Sequence, residues 1–325
     1  MIRRPPRSTL DRSSAASDVY KRQLLDWLIV TLISSAFLGL IHISDKVVLS
    51  RYIRKPLTLI LLIGVIDAVV GFFMLGFSGI PSEANLFNNL AAISSGAFIA
   101  FAIILLQRAL YTEEVSRVIP ITQSSPIFAA LLALFILSES ITVIQWIGII
   151  IAVFGSILIS LKLDTNTSKI FLHKSFYSLM LSALFFGAAN VTGKMAVDEM
   201  SVLYSQGLRN ITFGFILVSF ALKSEVITEV KTLFRERSPA LTLIMINQGF
   251  TAQVGSFMLL WALSLGPASL VATVSASRVI FSFIFTIGLS KIWVGILRED
   301  TSNQSILIKL LSTGLVVAGI SAISI

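Results

Sequence analysis

Apolar blocks recur along this 325-residue chain from Leu24 to Ile325, and each has the roughly 20 residues that a helix needs to cross the hydrocarbon core of a bilayer. Charged residues make up only 13% of the chain, whereas soluble domains have about 25%. The blocks do not alternate polar and apolar residues in the way that barrel strands do. The sequence therefore predicts an all-α integral membrane protein.

The side chains of common metal and nucleotide sites are scarce. The chain has no Cys and only two His, His42 and His173, and it contains neither an HExxH sequence nor a P-loop. This composition excludes disulfides and Cys nucleophiles, and it predicts no cofactor, no metal site and no enzymatic activity. Basic residues in the loops of a membrane protein mainly set its topology, so the net charge of +8 gives no reason to expect nucleic-acid binding.

The first 23 residues differ from everything that follows, because they are basic, polar and rich in Arg and Ser. A disordered basic tail fits this composition. A transit peptide fits less well because of two Asp and the Pro5-Pro6 pair, and a signal peptide would need an apolar core. The strings IRRPPRSTL and SAASDVYKRQ resemble a translated sequencing-adapter read. We therefore expect residues 1–23 to be a disordered artefact and the native protein to begin near Leu24.

The remaining chain divides into ten apolar segments, several of them bounded by Pro or Gly-Pro. A polar linker at 162–174 separates two halves of five segments each, 24–161 and 175–325. The predicted spans are 24–45, 57–77, 89–110, 115–137, 143–161, 175–197, 201–222, 239–264, 268–290 and 305–325.

The two halves resemble each other. The stretch SSAFLGLIHISDKVV (34–48) parallels SALFFGAANVTGKMA (182–196) at an offset of 148 residues, and 108–128 parallels 261–281 at an offset of 153. The last span of each half also carries small residues four apart, a pattern that packs helices closely and that also suits a homodimer face. Because each half has an odd number of spans, the second half is predicted to be inverted relative to the first, as in many transporters.

One stretch of the first half has a more specific pattern. Residues 108–160 carry an Ala-Leu pair, a Val-x-Pro turn, Pro126, Glu139 and a Thr-x-x-Gln-x-x-Gly sequence beginning at Thr142. This pattern resembles the EamA domain of the drug/metabolite transporter superfamily. The second half resembles a weaker copy in which Ile292 stands at the position of Glu139. The resemblance implies a ten-helix secondary transporter of small molecules, often an exporter.

Candidate substrate-binding residues lie on the first span of each half. His42 and Lys46 in the first half align with Asn190 and Lys194 in the second. The lysines either snorkel to the headgroups or line the cavity in which the family places first-span residues. His42 either packs through a hydrogen bond or couples a proton to transport.

Ionisable residues within the spans are further candidates, because they are costly in lipid and normally face protein or water. Asp67, Arg209 and Arg278 are of this kind, and they either pair with one another or bind substrate. Arg278 is the strongest candidate, since a central cation attracts an anionic or zwitterionic group. Polar and aromatic residues inside the spans complete the predicted site: Gln123, Ser124, Gln253 and Trp261, with Gln107, Ser125 and Gln248 nearby.

Two residues are assigned structural roles. Pro126 is expected to bend the fourth span. Thr142 and Gln145 match a capping box at the start of the fifth span, and Glu139 is expected to stabilise a helix N-terminus there.

The sequence thus predicts a secondary transporter of a small metabolite, such as an amino acid or related zwitterion, that works by alternating access in the cytoplasmic membrane. A flippase-like carrier of a lipid-linked substrate on the same scaffold is the alternative. Coupling to protons or to exchange stays open. Lys and Arg concentrate in the odd-numbered connections, which places both termini outside by the positive-inside rule, whereas the family resemblance places them inside.

Overall fold

The structure is a computed structural model that describes residues 9–112, 121–160, 175–289 and 303–323. Within these ranges the chain is helical, and each of the ten predicted segments contains helix. The predicted linker at 162–174 and Ile292 lie outside the described residues. The helices are α1 (Thr9–Arg51), α2 (Pro56–Ser78), α3 (Leu86–Thr112), α4 (Ser125–Ile136), α5 (Val143–Ser160), α6 (Phe176–Val197), α7 (Val202–Ala221), α8 (Ser224–Arg235), α9 (Pro239–Ile246), α10 (Ala252–Leu265), α11 (Ala268–Ser275), α12 (Arg278–Leu289) and α13 (Asn303–Ile323), with a π-helical turn at Asn247–Thr251.

Several of these helices can cross a membrane. Six stretches of the described chain are long and apolar enough, and a seventh is added if α7 and α8, which meet at a bend of 107°, form one span. The spans predicted at 115–137, 143–161 and 305–325 are represented by shorter apolar helices within the described residues. The protein is therefore a multi-pass helical membrane protein.

The first helix is longer at both ends than the sequence predicts. It begins at Thr9, inside the segment expected to be disordered, and ends at Arg51 rather than at residue 45. Residues 9–23 contain neither Pro nor Gly, so their backbone meets no local obstacle to helix. The extension at the other end places Asp45 inside the span, where its side chain is buried.

The fourth and ninth spans are broken at matching positions. A turn at Gln123–Ser124 precedes α4, and a turn at Ala276–Ser277 separates α11 from α12. In both turns the Ser N–H donates to the carbonyl three residues earlier, Ile121 O at 3.2 Å and Val274 O at 3.0 Å. Pro126 lies in the first turn of α4, where its missing N–H leaves no helical bond unmade. It thus helps to start this helix and does not bend its interior.

The helices pack in closely spaced pairs: α2 with α7, α5 with α13, α3 with α6, and α1 with both α10 and α12. A Cβ added at Gly64 of α2 would lie 2.9 Å from Gly214 O of α7, and one at Gly148 of α5 would lie 2.8 Å from Gly319 O of α13. The small residues of α5 are therefore covered by α13 of the same chain. On α13, Gly319 makes this contact, whereas Gly314 has open space beside it.

Side chains near the end of the fourth span cap two helices, one in each half of the chain. The predicted capping box is confirmed, because Thr142 N–H donates to Gln145 Oε1 at 3.0 Å and Gln145 N–H donates to Thr142 Oγ1 at 3.3 Å. Glu139 caps a different helix, α11, by accepting from Ala268 N–H at 2.6 Å and from Ser269 N–H at 3.2 Å. The Ser269 hydroxyl donates to the same carboxylate at 2.6 Å.

Candidate functional site

A cavity of about 160 Å³ lies among α1, α2, α3, α6, α7, α10 and the start of α12. It sits well inside the apolar helices, and half of its lining residues are nevertheless polar or charged. Phe186 and Phe213 are among the apolar ones. The polar lining residues are His42, Asp45, Asp67, Gln107, Asn190, Gln206, Arg209, Asn210, Gln248, Ser256 and Arg278.

Asp45 is the centre of the first polar cluster. Its Oδ1 accepts from Asn247 Nδ2 at 2.9 Å and from Gln248 Nε2 at 3.0 Å, and its Oδ2 accepts from Gln107 Nε2 at 3.3 Å. The carboxyl is 5% exposed. A buried carboxylate is thus held by three neutral amides, each from a residue distant in sequence.

The π-helical turn explains how two successive residues reach the same carboxylate. Neighbouring side chains on a regular α-helix point about 100° apart, but the wider turn at Asn247–Thr251 changes this spacing. Side chains also donate to backbone carbonyls at this turn. Gln253 Nε2 donates to Gln248 O at 3.1 Å, and Thr251 Oγ1 donates to Ile246 O at 3.3 Å.

A second cluster runs from Asp67 to Arg209. Gln253 Nε2 donates to Asp67 Oδ1 at 2.8 Å, and Gln253 Oε1 accepts from Asn210 Nδ2 at 2.7 Å. The chain continues through Gln206, whose Nε2 donates to Asn210 Oδ1 at 2.8 Å and whose Oε1 accepts from Arg209 Nη1 at 3.4 Å. Asp67 and Arg209 also attract each other electrostatically. Two opposite buried charges are therefore linked through neutral amides.

Arg278 is the first residue of α12, directly after the break in the ninth span. Helix α1 lies close to it, because a Cβ added at Gly39 would be 2.8 Å from Arg278 O. The charge of Arg278 acts on His42. Its Nε is buried and has no hydrogen-bond partner among the described residues. Arg278 thus places a positive charge at the edge of the cavity, with an Nε–H group that can still donate a hydrogen bond.

The structure places the predicted binding residues in two groups. Arg278, His42 and Asn190 line the cavity, and Gln253 contacts Asp67 directly beside it. The others lie outside the cavity lining that the described residues form: Lys46 one position beyond Asp45 on α1, Lys194 in an ion pair with Asp198 at 2.7 Å, Gln123 and Ser124 in the turn before α4, and Trp261 with 41% of its surface exposed.

Sequence reasoning missed Asp45, Gln206, Asn210 and Asn247. Asp45 adjoins Lys46, and such a pair suggests the end of a span rather than its interior. The available signal was that VVLS continues the apolar pattern beyond the pair. The amide sequence NQGFTAQ at 247–253 was a second signal, because that many polar side chains in one span need polar partners.

The fold and the cavity define the class of protein: a multi-pass membrane protein with a polar, solute-sized site among its helices. Residues 25–161 match the EamA-like transporter family. The first half of the chain is therefore similar to an EamA-like transporter domain, consistent with the drug/metabolite transporter superfamily.

Two further similarities extend this comparison. An uncharacterized protein of Methanocaldococcus jannaschii is 34% identical over 71 residues, which are 22% of this chain and 52% of that protein. The match thus spans about half the length of that relative. A crystal structure of another protein superposes with a TM-score of 0.60 at 12% identity, and the alignment covers 91% of this chain and 94% of the other. The fold of that structure therefore matches nearly the whole of this chain.

Proposed function

We propose that this protein is a secondary transporter that moves a small zwitterionic metabolite, such as an amino acid, across the cytoplasmic membrane by alternating access. In this proposal the chain forms ten spans arranged as two inverted five-helix repeats, 24–161 and 175–325. The cavity among α1, α2, α3, α6, α7, α10 and the start of α12 is the substrate site. His42, Asn190, Gln253 and Arg278 belong to it.

The pattern of helix packing supports the two repeats. Exchanging α1 with α6, α2 with α7, α3 with α10, α4 with α11–α12 and α5 with α13 maps most of the close pairs onto one another, and α3–α7 is the exception, because α2 and α10 do not pack closely. Under this exchange α2–α7 and α5–α13 map onto themselves, and α3–α6 maps onto α1–α10. A repeated unit whose copies pack about a twofold axis produces this pattern.

Individual contacts support the same exchange. A Cβ added at Gly39 would lie 3.0 Å from Ser282 N, and one added at Gly187 would lie 2.8 Å from Ala129 N. The sequence offsets of 148 and 153 residues relate Gly39 to Gly187 and Ala129 to Ser282. The turns before α4 and before α12 are related by the second offset. Broken helices at corresponding positions of two repeats are a pointer to a transporter's substrate site.

The single observation that carries the substrate class is the charge balance of the cavity. Asp45 and Asp67 supply two potential negative charges, and Arg209 and Arg278 supply two positive ones. Charged residues within spans mark ion and substrate pathways, and a balanced set suits a molecule that carries both signs. The cavity volume of about 160 Å³ lies below the roughly 300–1,000 Å³ of pockets for drug-sized ligands, which favours a small metabolite.

Flux into proteoliposomes tests the proposal. The full chain is reconstituted into vesicles, and uptake of amino acids, polyamines, sugar phosphates or nucleotide sugars is measured with and without a pH gradient. We expect saturable flux of an amino acid or related zwitterion that Arg278→Ala abolishes and that Lys223→Ala, at an exposed position, leaves unchanged. Absence of flux for the whole panel would refute the proposal, and translocation of a labelled lipid-linked sugar in its place would favour the flippase-like alternative.

A further inference from the structure

We propose that the cavity binds its substrate in one orientation, with an ammonium group at Asp45 and a carboxylate at Arg278. The inference rests on the proposed function, which it deepens by assigning each end of the zwitterion to named atoms. It adds to the site Asp45, Gln107 and Asn247, whose roles follow from their hydrogen bonds.

Asp45 dictates which way its neighbouring amides face. An ionised carboxylate only accepts hydrogen bonds, so Gln107 and Asn247 must turn their NH₂ groups toward it, at 3.3 Å and 2.9 Å. Their carbonyl oxygens then face away. Both Gln107 Oε1 and Asn247 Oδ1 are buried and have no hydrogen-bond partner among the described residues.

The Asp45 carboxylate and these two amides form an acceptor cluster, in which the two amide oxygens have no donor among the described residues. Buried polar atoms are normally paired, and each exception needs an explanation. An ammonium group carries three N–H donors and no acceptor, so it can satisfy the Asp45 carboxylate and an amide oxygen at the same time. A bound ammonium group also neutralises a buried carboxylate to which three neutral amides donate.

Arg278 is the complementary case. Asp67 and Arg209 attract each other. The positive charge of Arg278, in contrast, acts on the imidazole of His42. Its buried Nε lacks an acceptor among the described residues. Guanidinium groups bind carboxylates with two parallel hydrogen bonds. Asp45 and Arg278 line the same cavity, and in the proposal the zwitterion lies between them.

A matched set of ligands tests the orientation. The purified full chain is screened by thermal shift, which reports ligands that bind the folded state. The ligands are the standard amino acids, each with the amine that lacks its carboxylate and the acid that lacks its ammonium group. Wild type is expected to bind an amino acid about 10- to 100-fold more tightly than either half-ligand, the factor that one charged hydrogen-bonded contact contributes.

Variants at the two ends of the site should each lose a different part of this preference. Asp45→Asn should lose the preference for the amino acid over the acid, and Arg278→Gln should lose the preference for the amino acid over the amine. Gln107→Leu, which removes the unpaired acceptor and one amide donor to Asp45 but no charge, should weaken binding of the amino acid and the amine while sparing the acid. Each variant's melting temperature without ligand shows whether it folds, and Gln107→Leu tests the Asp45 end even if Asp45→Asn does not fold.

Three results would overturn the inference. In the first, folded variants bind all three ligand types equally more weakly, and in the second they keep the ligand preference of the wild type. The third result is stabilisation of the wild type by Na⁺ alone that Asp45→Asn removes. The last result would assign the acceptor cluster to a metal cation. Flux of a zwitterion without the crossed preference would leave the proposed function standing and refute the orientation. The crossed preference without any flux would support the orientation and refute transport.

Discussion

Replacing Glu139 by Ala should destabilise the protein by removing a cap that joins its two halves. The Glu139 carboxylate accepts two backbone N–H groups at the start of α11 and the hydroxyl of Ser269, at distances of 2.6–3.2 Å. Helix α11 begins the ninth span, and it packs against α4 of the other half. Without Glu139, the first N–H groups of α11 lose the acceptor that a helix start requires.

The magnitude follows from these bonds. Loss of an N-cap acceptor costs about 0.5–2 kcal/mol, and a hydrogen bond to a charged group contributes about 1.5–3 kcal/mol. The two effects overlap because the same carboxylate makes all three bonds, so we expect a loss of about 2–4 kcal/mol in the free energy of unfolding. Glu139→Gln keeps one acceptor oxygen and should lose about half as much.

Equilibrium unfolding in detergent micelles measures the effect, with loss of helical circular dichroism followed against denaturant. Glu83→Ala is the matched control, because Glu83 is an exposed acid of the same type whose side chain accepts from the neighbouring Ser82 hydroxyl. It should change stability by less than about 0.5 kcal/mol. If Glu139→Ala and Glu83→Ala had equal effects, the cap would not hold the two halves together and the reasoning would fail.

Glycine positions give two further predictions. Gly39→Ala and Gly187→Ala should each destabilise the folded protein by about 1–3 kcal/mol because the added methyl overpacks a helix contact. Gly76→Ala, with open space beside it, should be neutral or stabilising. Equilibrium unfolding in micelles compares the three variants. Gly148→Ala should lower the free energy of unfolding by a similar amount because it overpacks the α5–α13 contact, whereas Gly314→Ala should not lower it. Equal losses of stability in both variants would show that α13 packs in another register.

The positions of the helices could be predicted from the sequence because they depend on local hydropathy. Each of the ten apolar segments contains helix within the described residues, and the Thr142–Gln145 capping box depends on residues three apart. The expected bend at Pro126 was wrong, because Pro126 lies in the first turn of α4, directly after the turn at Gln123–Ser124. Each of these features is set by residues within one or two helical turns of each other.

The polar site could be predicted only in part, because distant partners decide which polar residues face it. Asp45 meets Gln107, Asn247 and Gln248 across sequence separations of 62, 202 and 203 residues. Glu139 finds its helix 129 residues away. The spacing of residues along one helix does not contain such contacts, so the sequence identified Arg278 and His42 by their charge and depth but assigned Asp45 to a helix end.

The asymmetry of the site has a physical reason within the proposed repeats. The sequence offsets relate Asp45 to Gly193 and Arg278 to Ser125, so neither charge is duplicated in the other half. If both halves supplied the same groups, the cavity would offer each end of a bound molecule the same environment. A zwitterion has unlike ends, and binding it in a single orientation requires unlike charges on the two sides. In the proposed function, the duplicated backbone would permit two similar packing states, as inverted repeats do in transporters, while the unduplicated charges would distinguish the two ends of the substrate.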